Sequence, residues 1–314
     1  MTIRNLSSRT PEKDRESFER VIQNDGVMLA EECQKFCETH NESLETLMLK
    51  LLPLAADYSV ANISNFNVGA VVCGKQQNRK GYSNLYLGAN FEFDHLALGN
   101  SLHAEQAAAT NAWMHNDSIK SLATSAAPCG HCRQFLYESS CGDSLPILIP
   151  QPESSIAQSN ADYQAIELNT LLPAAFGPAD LGSQEKLMSN NNQGINLSFA
   201  KGVNDSLVDL ARLTAEQSYA PYTKNFAGCV ILAEDNETYL GRYAENVAFN
   251  PSLLAFTAAL SQMRMARKAF SSNRIKRVII VEHDTQTSQR SASELLLGSL
   301  NSRVRLEWHA ATLE

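Results

Sequence analysis

The chain has 314 residues, of which 44 % are apolar and 19 % are charged, and its formal net charge is −8. A chain of this length can bury a large core and form two or three domains. Its acidic balance argues against nucleic acid or an anionic membrane as the main partner, because both are bound through basic surfaces.

The cysteine count and the hydropathy pattern bear on the compartment. Seven cysteines, an odd number, are scattered along a long chain, which favours a reducing compartment over a disulfide framework. No apolar run approaches the roughly 18 residues that span a membrane, and the first residues lack the apolar segment of a signal peptide. We therefore expect a cytoplasmic protein without a membrane partner.

The first part of the chain predicts helices. Residues 11–58 combine a charged amphipathic segment with the strongly periodic ESLETLMLKLLPLAA. We assign residues 1–45 to a small N-terminal helical region. Cys33 and Cys37 lie one helical turn apart within it, and we expect them to be small buried apolar groups. The remaining cysteines outside the motif below, Cys73, Cys141 and Cys229, receive no function.

Residues 65–150 change character to short apolar strands with helices between them. The predicted order is strand, strand, helix, strand, helix, strand, which favours helices packed on a mixed sheet. The segments are NFNVGAVVCG (65–74), NLYLGANFEF (84–93), SLHAEQAAATNAWMH (101–115), a strand within 118–127, a helix that starts at PCGHC (128–132), and LPILIP (145–150). We assign residues 46–181 to one domain and residues 182–204, rich in Asn, Gly and Ser, to a linker.

The same pattern returns in residues 205–314, which we assign to a second domain. In the same order, NFAGCVILAE (225–234) repeats NFNVGAVVCG, TYLGRYAEN (238–246) repeats LYLGANFEF, and SLLAFTAAL (252–260) repeats SLHAEQAAA. The chain therefore holds two copies of one unit. Leu254 stands in the place of His103 and Phe256 in the place of Glu105, so we predict that the second copy has lost its chemistry.

His103, Cys129 and Cys132 form a candidate zinc set. One imidazole and two thiolates suit a four-coordinate Zn²⁺ with one position left open. The two cysteines are three residues apart at a predicted helix start, with Pro128 as the first helical residue. His103 begins another helix, so two helix dipoles make the site electropositive. We expect Glu105 to face the open position and to take a proton from water there.

Three alternatives remain open on these residues alone. The CGHC segment is also typical of thiol–disulfide oxidoreductases, although Pro128 precedes it where they usually have tryptophan. His131 could be the fourth ligand of a closed, purely structural zinc site. A zinc enzyme that acts on nucleotides or on bases in nucleic acid would need a phosphate contact, which Arg133 could supply.

The combined pattern H-x-E followed about 25 residues later by P-C-x-x-C is the signature of zinc-dependent nucleobase deaminases. The chain resembles the two-domain, homodimeric cytidine deaminases in NFNVGA, GANFEF, HAEQ, PCGHCRQ, LLPAAFGP and, in the second copy, YAEN and FNPSL. The resemblance implies a duplicated α/β fold with α-β-α layers around a mixed sheet, beside the small N-terminal helical region. It also implies one Zn²⁺ per chain, held by His103, Cys129 and Cys132, with Glu105 as the catalytic proton carrier.

The same resemblance implies the reaction and the substrate contacts. The expected reaction is hydrolytic deamination of cytidine and 2′-deoxycytidine in pyrimidine salvage, by a homodimer and without nucleic acid as a partner. Asn90 and Glu92 would hydrogen-bond the ribose hydroxyls, and Phe66 would pack against the pyrimidine ring. The backbone around Ala104 would read the edge of the base, and Phe176 would close the pocket.

Overall fold

The fold is that of a computed structural model, described for residues 11–139, 142–151, 163–189, 194–200, 202–266, 271–301 and 303–314. The described residues divide between two compact units. The first draws on Met1–Glu92, Leu102–Ala175 and Arg264–Ala269, and the second on Phe93–Ser101, Phe176–Met263 and Phe270–Glu314. No described helix is both long and apolar enough to cross a membrane.

Three helices open the first unit, within the residues 11–58 that the sequence predicts to be helical, although the strand Val27–Met28 lies between the first two. They are α1 (Glu12–Gln23), α2 (Ala30–His40) and α3 (Leu44–Ala56). Helix α3 begins after Ser43, whose hydroxyl accepts the amide hydrogen of Thr46 at 3.2 Å. Cys33 and Cys37 are buried on α2, which confirms them as core residues. Cys73 is buried in the same core and Cys229 in the second unit, whereas Cys141 lies outside the described residues.

The first unit is built on a six-stranded mixed sheet. Its strands are β1 (Val27–Met28), β2 (Gly69–Gln77), β3 (Ser83–Ala89), β4 (Ile119–Thr124), β5 (Pro146–Pro150) and β6 (Tyr163–Glu167), in the spatial order β1-β3-β2-β4-β5-β6. Strands β4 and β5 pair in parallel, and the other neighbours pair antiparallel. The helices that follow β3, β4 and β6 are α4 (Ala104–Met114), α5 (Gly130–Tyr137) and α6 (Leu168–Leu171).

Two glycines place helices on both faces of this sheet. A Cβ atom on Gly69 would lie 2.5 Å from the carbonyl oxygen of Leu52 in α3, and one on Gly88 would lie 2.0 Å from the amide nitrogen of Ala108 in α4. Gly69 pairs with Ala89 rather than with Gly88, so the two glycines face opposite sides of the sheet. Helices α3 and α4 therefore cover opposite faces, which confirms the predicted three layers.

The second unit repeats this plan. Its strands are β7 (Leu197–Ser198), β8 (Ala227–Ala233), β9 (Thr238–Arg242), β10 (Ile275–His283) and β11 (Leu306–Leu313), and its helices are α7 (Ser206–Glu216), α8 (Ala255–Ala266) and α9 (Arg290–Leu300). The order β9-β8-β10-β11-β7 matches β3-β2-β4-β5-β6, including the parallel pair at the fourth strand. Gly228 and Gly241 likewise face the backbones of α7 and α8 from opposite sides. The duplication read from the sequence is confirmed strand by strand.

The edge strand of each sheet comes from a different place in the chain. In the first unit β6 follows β5, whereas in the second unit the corresponding strand β7 precedes all the others. Strand β7 lies within residues 182–204, where its Ser198 pairs with Thr312 of β11. Part of that Asn-, Gly- and Ser-rich segment is therefore sheet.

Several predicted boundaries are corrected by the structure. Strand β2 begins at Gly69 rather than at residue 65, and β3 ends at Ala89 rather than at residue 93. The residues just before β2 and just after β3 lie in loops, and these loops carry the predicted site residues Phe66, Asn90 and Glu92. Helix α5 begins at Gly130 with Cys129 at its N-cap, so Pro128 is not the first helical residue. Pro128 instead fixes the extended chain that leads into the helix.

Candidate active site

Two helix N-termini in the first unit bring the predicted metal ligands together. His103 is the N-cap of α4, and Cys129 is the N-cap of α5. Nδ1 of His103 lies 3.5 Å from Sγ of Cys129 and 3.2 Å from Sγ of Cys132, and the two sulfurs are 3.6 Å apart. Hydrogen bonds of 2.9 Å between Leu102 and Phe91 in both directions fix the backbone immediately before His103.

These separations fit a tetrahedral zinc ion. At ordinary Zn–S and Zn–N bond lengths, tetrahedral geometry puts two thiolate sulfurs about 3.8 Å apart and a sulfur and a nitrogen about 3.5 Å apart. The observed distances of 3.2 to 3.6 Å are close to these values. Among the described residues, this is the group of metal-binding side chains whose ligand atoms converge. With three protein ligands, it leaves one coordination position for water or substrate.

The two thiols are electrostatically distinct. The hydrogen bond between the two thiols is the main cause that lowers the pKa of Cys129 to about 4. That same bond, together with burial, raises the pKa of Cys132. A zinc ion deprotonates thiols that coordinate it, so a metal would hold both sulfurs as thiolates.

Glu105 is a buried carboxylate next to this cluster. It lies in the first turn of α4, is 4 % exposed, and hydrogen-bonds the Cys132 side chain. Burial raises the pKa of Glu105, although its own backbone amide and Cys132 oppose that shift. A carboxylate of raised pKa beside a metal position is suited to accept and return a proton.

The loop before β2 carries Phe66 and is held by the other predicted substrate residues. Asn90 accepts hydrogen bonds on Oδ1 from the Ser59 hydroxyl (2.6 Å) and the Val68 amide (2.9 Å), and its Nδ2 donates to the carbonyl of Phe66 (2.9 Å). The side chain of Phe66 is 60 % exposed. Asn90 therefore fixes the loop that presents Phe66, in addition to any contact with a ligand.

Glu92 is also bound to this loop. It is 5 % exposed, and Oε2 accepts the amides of Ile63 (2.8 Å) and Ser64 (3.1 Å), while Oε1 accepts the Ser64 hydroxyl. The sequence did not single out Ser64. The matching threonine of the second copy, Thr223, was the signal that would have found it.

The remaining predicted residues are placed as follows. Ala104 is the first residue of α4 and is buried, and amides of a first helical turn have no acceptor within their helix. Phe176 is the first residue of the Phe176–Met263 segment of the second unit and is 44 % exposed, and its role stays a prediction. Arg133 donates from Nε to the carbonyl of Pro128 (2.8 Å) and from Nη1 to that of Leu171 (2.7 Å). Two edges of its guanidinium are thus engaged by the protein.

His131 does not join the ligand atoms. Its ring stacks on that of His103, with centroids 5.1 Å apart and planes inclined by 25°. It is absent from the convergent group among the described residues. The geometry therefore favours an open site with three protein ligands over a closed structural one.

The second unit has a hydrogen-bond network where the first has metal ligands. Gln289 is the N-cap of α9, as Cys129 is of α5, and its Oε1 accepts the amide of Ala255 at the start of α8 (3.0 Å). Its own amide donates to Glu282 (2.9 Å), and its Nε2 donates to Asn225 (3.3 Å). The two helix N-termini are thus joined by an amide side chain, which agrees with lost chemistry in this copy.

Comparison with known proteins agrees with this geometry. Residues 41–145 and 168–294 match two family models that share the description "Cytidine and deoxycytidylate deaminase zinc-binding region". The chain is 36 % identical over 318 residues to the cytidine deaminase of Haemophilus influenzae, covering 98 % of this chain and 100 % of that protein. It is 39 % identical to the cytidine deaminase of Photorhabdus laumondii, covering 87 % and 86 % of the two chains.

A crystal structure of cytidine deaminase from Mycobacterium tuberculosis is 26 % identical, covers 42 % of this chain and 95 % of its own, and superposes with a TM-score of 0.33. The alignments with these two relatives cover 98 % and 87 % of this chain, and the two family models match residues in both copies of the repeated unit. The chain therefore belongs to the cytidine deaminase family.

Proposed function

We propose that this protein is a zinc-dependent hydrolase that converts cytidine and 2′-deoxycytidine into uridine and 2′-deoxyuridine with release of ammonia. The observation that carries the proposal is the buried Glu105 beside a His103, Cys129 and Cys132 cluster whose spacing fits zinc. Family membership and the names of the full-length relatives support the same reaction. Pyrimidine salvage is the role that this reaction serves.

The metal supplies one part of the chemistry. A zinc ion bound by two thiolates and one imidazole acts as a Lewis acid that lowers the pKa of water in its open position. His103 and Cys129, at two helix N-termini, and Cys132 would hold the ion, and the helix dipoles there favour the thiolates.

Glu105 carries the protons. Its carboxylate accepts a proton from the attacking water and delivers it to N3 of the cytosine ring as the bond between oxygen and C4 forms. It then takes the proton of the added hydroxyl and gives it to the exocyclic amino group as the C4–N bond breaks. The sum is cytidine plus water to uridine plus ammonia, and Glu105 returns to its starting state. The raised pKa of Glu105 suits both directions of transfer.

The nucleoside is bound by the loop beside the metal position. We propose that Asn90 and Glu92 hydrogen-bond the ribose hydroxyls, that Phe66 packs on the pyrimidine, and that the Ala104 backbone reads the base edge. Phe176 remains a predicted substrate-binding residue. The negative charge of Glu92 would repel a 5′-phosphate nearby, which favours nucleosides over nucleotides.

The assembly and location follow from the same proposal. The protein acts in the cytoplasm as a homodimer, without nucleic acid or membrane as a partner. In this proposal residues 46–181 form the catalytic domain and residues 205–314 the non-catalytic one. Residues 1–45 are the N-terminal region, and residues 182–204 connect the two domains and contribute β7 to the second sheet. The net charge of −8 supports the absence of a nucleic-acid or anionic-membrane partner. The replacement of His103 and Glu105 by Leu254 and Phe256 in the second copy supports its non-catalytic role.

The test is the loss of cytidine ultraviolet absorbance on incubation with the protein. We expect turnover of cytidine and 2′-deoxycytidine, loss of turnover after removal of metal by a chelator, and recovery on addition of zinc. dCMP and a cytosine-containing oligonucleotide are the matched alternative substrates. Faster turnover of either than of cytidine, or disulfide reductase activity without deamination, would contradict the proposal.

A further inference from the structure

Ser64 connects two residues that the proposed function assigns to the substrate. The Ser64 hydroxyl donates to Oε1 of Glu92. The hydroxyl oxygen of Ser64 also accepts the amide hydrogen of Phe66 at 3.0 Å. The Ser64 amide also donates to Oε2 of Glu92 at 3.1 Å. The side chain of Ser64 thus connects the carboxylate of Glu92 to the backbone of Phe66.

Phe66 depends on such backbone contacts for its position. With 60 % of the residue exposed, little packing restrains its ring. The backbone of Phe66 is held instead at the amide by Ser64 and at the carbonyl by Nδ2 of Asn90, 2.9 Å away. Between them, Asn65 adopts a left-handed conformation with φ of 57°, so the loop turns sharply at this point.

The carboxylate of Glu92 is oriented by the same serine. Burial acts to raise the pKa of Glu92, but the hydroxyl and amide of Ser64 and the amide of Ile63 all donate to it, and its pKa lies below the ordinary 4.5. A charged acceptor strengthens each of these bonds. The direction in which Glu92 presents its remaining lone pairs is therefore set by Ser64 and Ile63.

The second unit supplies an internal comparison. There Thr223 donates its hydroxyl to Oε1 of Glu245 (2.6 Å), donates its amide to Oε2 (3.2 Å) and accepts the amide of Asn225 (3.2 Å). Lys224 has the same φ of 57° as Asn65. The network is therefore part of the shared framework, and threonine satisfies it as well as serine does.

The two copies differ in what the network presents. In the second unit the amide held by Thr223 belongs to Asn225, which is 2 % exposed and hydrogen-bonded to Gln289. In the first unit the amide held by Ser64 belongs to the exposed Phe66, in the unit that also contains the metal ligands. Corresponding hydrogen bonds therefore hold the buried Asn225 in the second copy and the exposed Phe66 of the candidate substrate site in the first.

We propose that Ser64 is a positioning residue for nucleoside binding, which sets the backbone of Phe66 and the carboxylate of Glu92 through one hydroxyl. The inference rests on the proposed function, because these two residues affect turnover only where a nucleoside binds. A purely structural role would instead make Ser64 and Thr223 equivalent.

The test compares S64A with T223A in the full-length, zinc-loaded protein. Both substitutions remove the hydroxyl from a corresponding network, so we expect similar drops in Tm. S64A should lower kcat/KM for cytidine about tenfold or more, mainly through a higher KM, because it removes hydrogen bonds that involve a charged group. T223A should leave kcat/KM within about twofold of wild type.

Two further variants keep the test decisive. S64T, which copies the residue of the second unit, should restore kcat/KM to within about threefold of wild type. S64C is similar in size but a weak donor, so its kcat/KM should lie between those of S64A and S64T. Zinc content should be unchanged in all four variants.

The outcomes separate the inference from the function on which it rests. A wild type that deaminates cytidine, with S64A and T223A equal in kcat/KM, overturns the positioning role and leaves the proposed function intact. A zinc-loaded wild type without deaminase activity overturns both. A loss in S64A that S64T restores and T223A does not share supports the role of Ser64.

Discussion

Glu105 of α4 and Phe256 of α8 occupy the same position in two copies of one fold. Each is the second residue of its helix, and they are 4 % and 0 % exposed. The residue just before each helix is His103 or Leu254. In both cases its carbonyl accepts an amide hydrogen from one turn later in the helix at 3.0 Å. A phenyl ring fills this buried place in the second copy, so the fold does not require a carboxylate there. The cost of burying Glu105 is therefore explained by chemistry rather than by packing.

The open metal site predicts the behaviour of His131. We expect H131A to retain one zinc per chain, because the ring stacks on His103 and is not among the convergent ligands. C132A is the matched control and should lose most of its zinc, since it removes a ligand. Metal analysis of the purified proteins is the measurement. Loss of zinc from H131A would indicate a closed site with four protein ligands.

Arg133 should act on the metal site through the backbone. It holds the carbonyls of Pro128 and Leu171, and Pro128 directly precedes a ligand. We expect R133A to lower zinc affinity about tenfold to hundredfold, as loss of groups that support metal ligands does. R133K should rescue it poorly, because an ammonium group lacks the planar fork. Competition with a chromogenic chelator measures the affinity.

The same variant tests the nucleotide alternative. Because two edges of the Arg133 guanidinium donate to carbonyls, we expect R133A to leave the ratio of cytidine to dCMP turnover unchanged. A selective loss of dCMP turnover would show that Arg133 binds phosphate.

Glu92 should make stability depend on acid pH. Burial raises the pKa of Glu92, but hydrogen bonds from Ser64 and Ile63 lower it by more. The pKa of Glu92 in the folded protein therefore lies below the ordinary 4.5. The unfolded chain then binds this proton more readily, so the stabilisation is present above about pH 4.5 and is lost as pH falls through the folded pKa. E92Q cannot titrate. The difference in urea midpoint between wild type and E92Q should therefore shrink or reverse below pH 4.5, and a constant difference would contradict the shift.

Gln289 should stabilise the second unit through the hydrogen bonds that its side chain makes with Ala255 and Asn225. Q289A would leave the buried Ala255 amide without its acceptor and Asn225 without a donor, which costs about 1–3 kcal/mol. Urea unfolding measures this loss, and zinc content is the control because no proposed ligand changes. Q289E keeps an acceptor for the Ala255 amide but loses the donor to Asn225. If the bond to Asn225 contributes to stability, Q289E should lose more than half of the unfolding free energy that Q289A loses.

The metal cluster and the duplication were accessible from sequence because each is written locally. His103 and Glu105 are two residues apart, and Cys129 and Cys132 are three apart. His103 and Glu105 also have aligned counterparts, Leu254 and Phe256, in the repeated segment. Side-chain chemistry at fixed spacing needs no knowledge of the fold beyond a helix start. The layers followed from the order of apolar strands and helices.

Features that depend on distant pairing were not accessible. Strands β1 and β7 are two residues long, and they exist because β3 and β11 offer unpaired edges to them. The role of Ser64 depends on Glu92, which lies 28 residues away in sequence and adjacent in the folded loop. Because proline favours the first turn of a helix, the sequence predicts Pro128 as helical, yet the carbonyl of Cys129 accepts the first helical hydrogen bond.

The most direct test of the account is the turnover of cytidine by E105Q at known zinc content. Glutamine keeps the size and burial of Glu105 but cannot carry a proton, so we expect one zinc per chain and a kcat lower by a factor of about 10² to 10⁴. Retention of more than about a tenth of wild-type activity, with zinc bound, would contradict the assignment of Glu105 as the proton carrier.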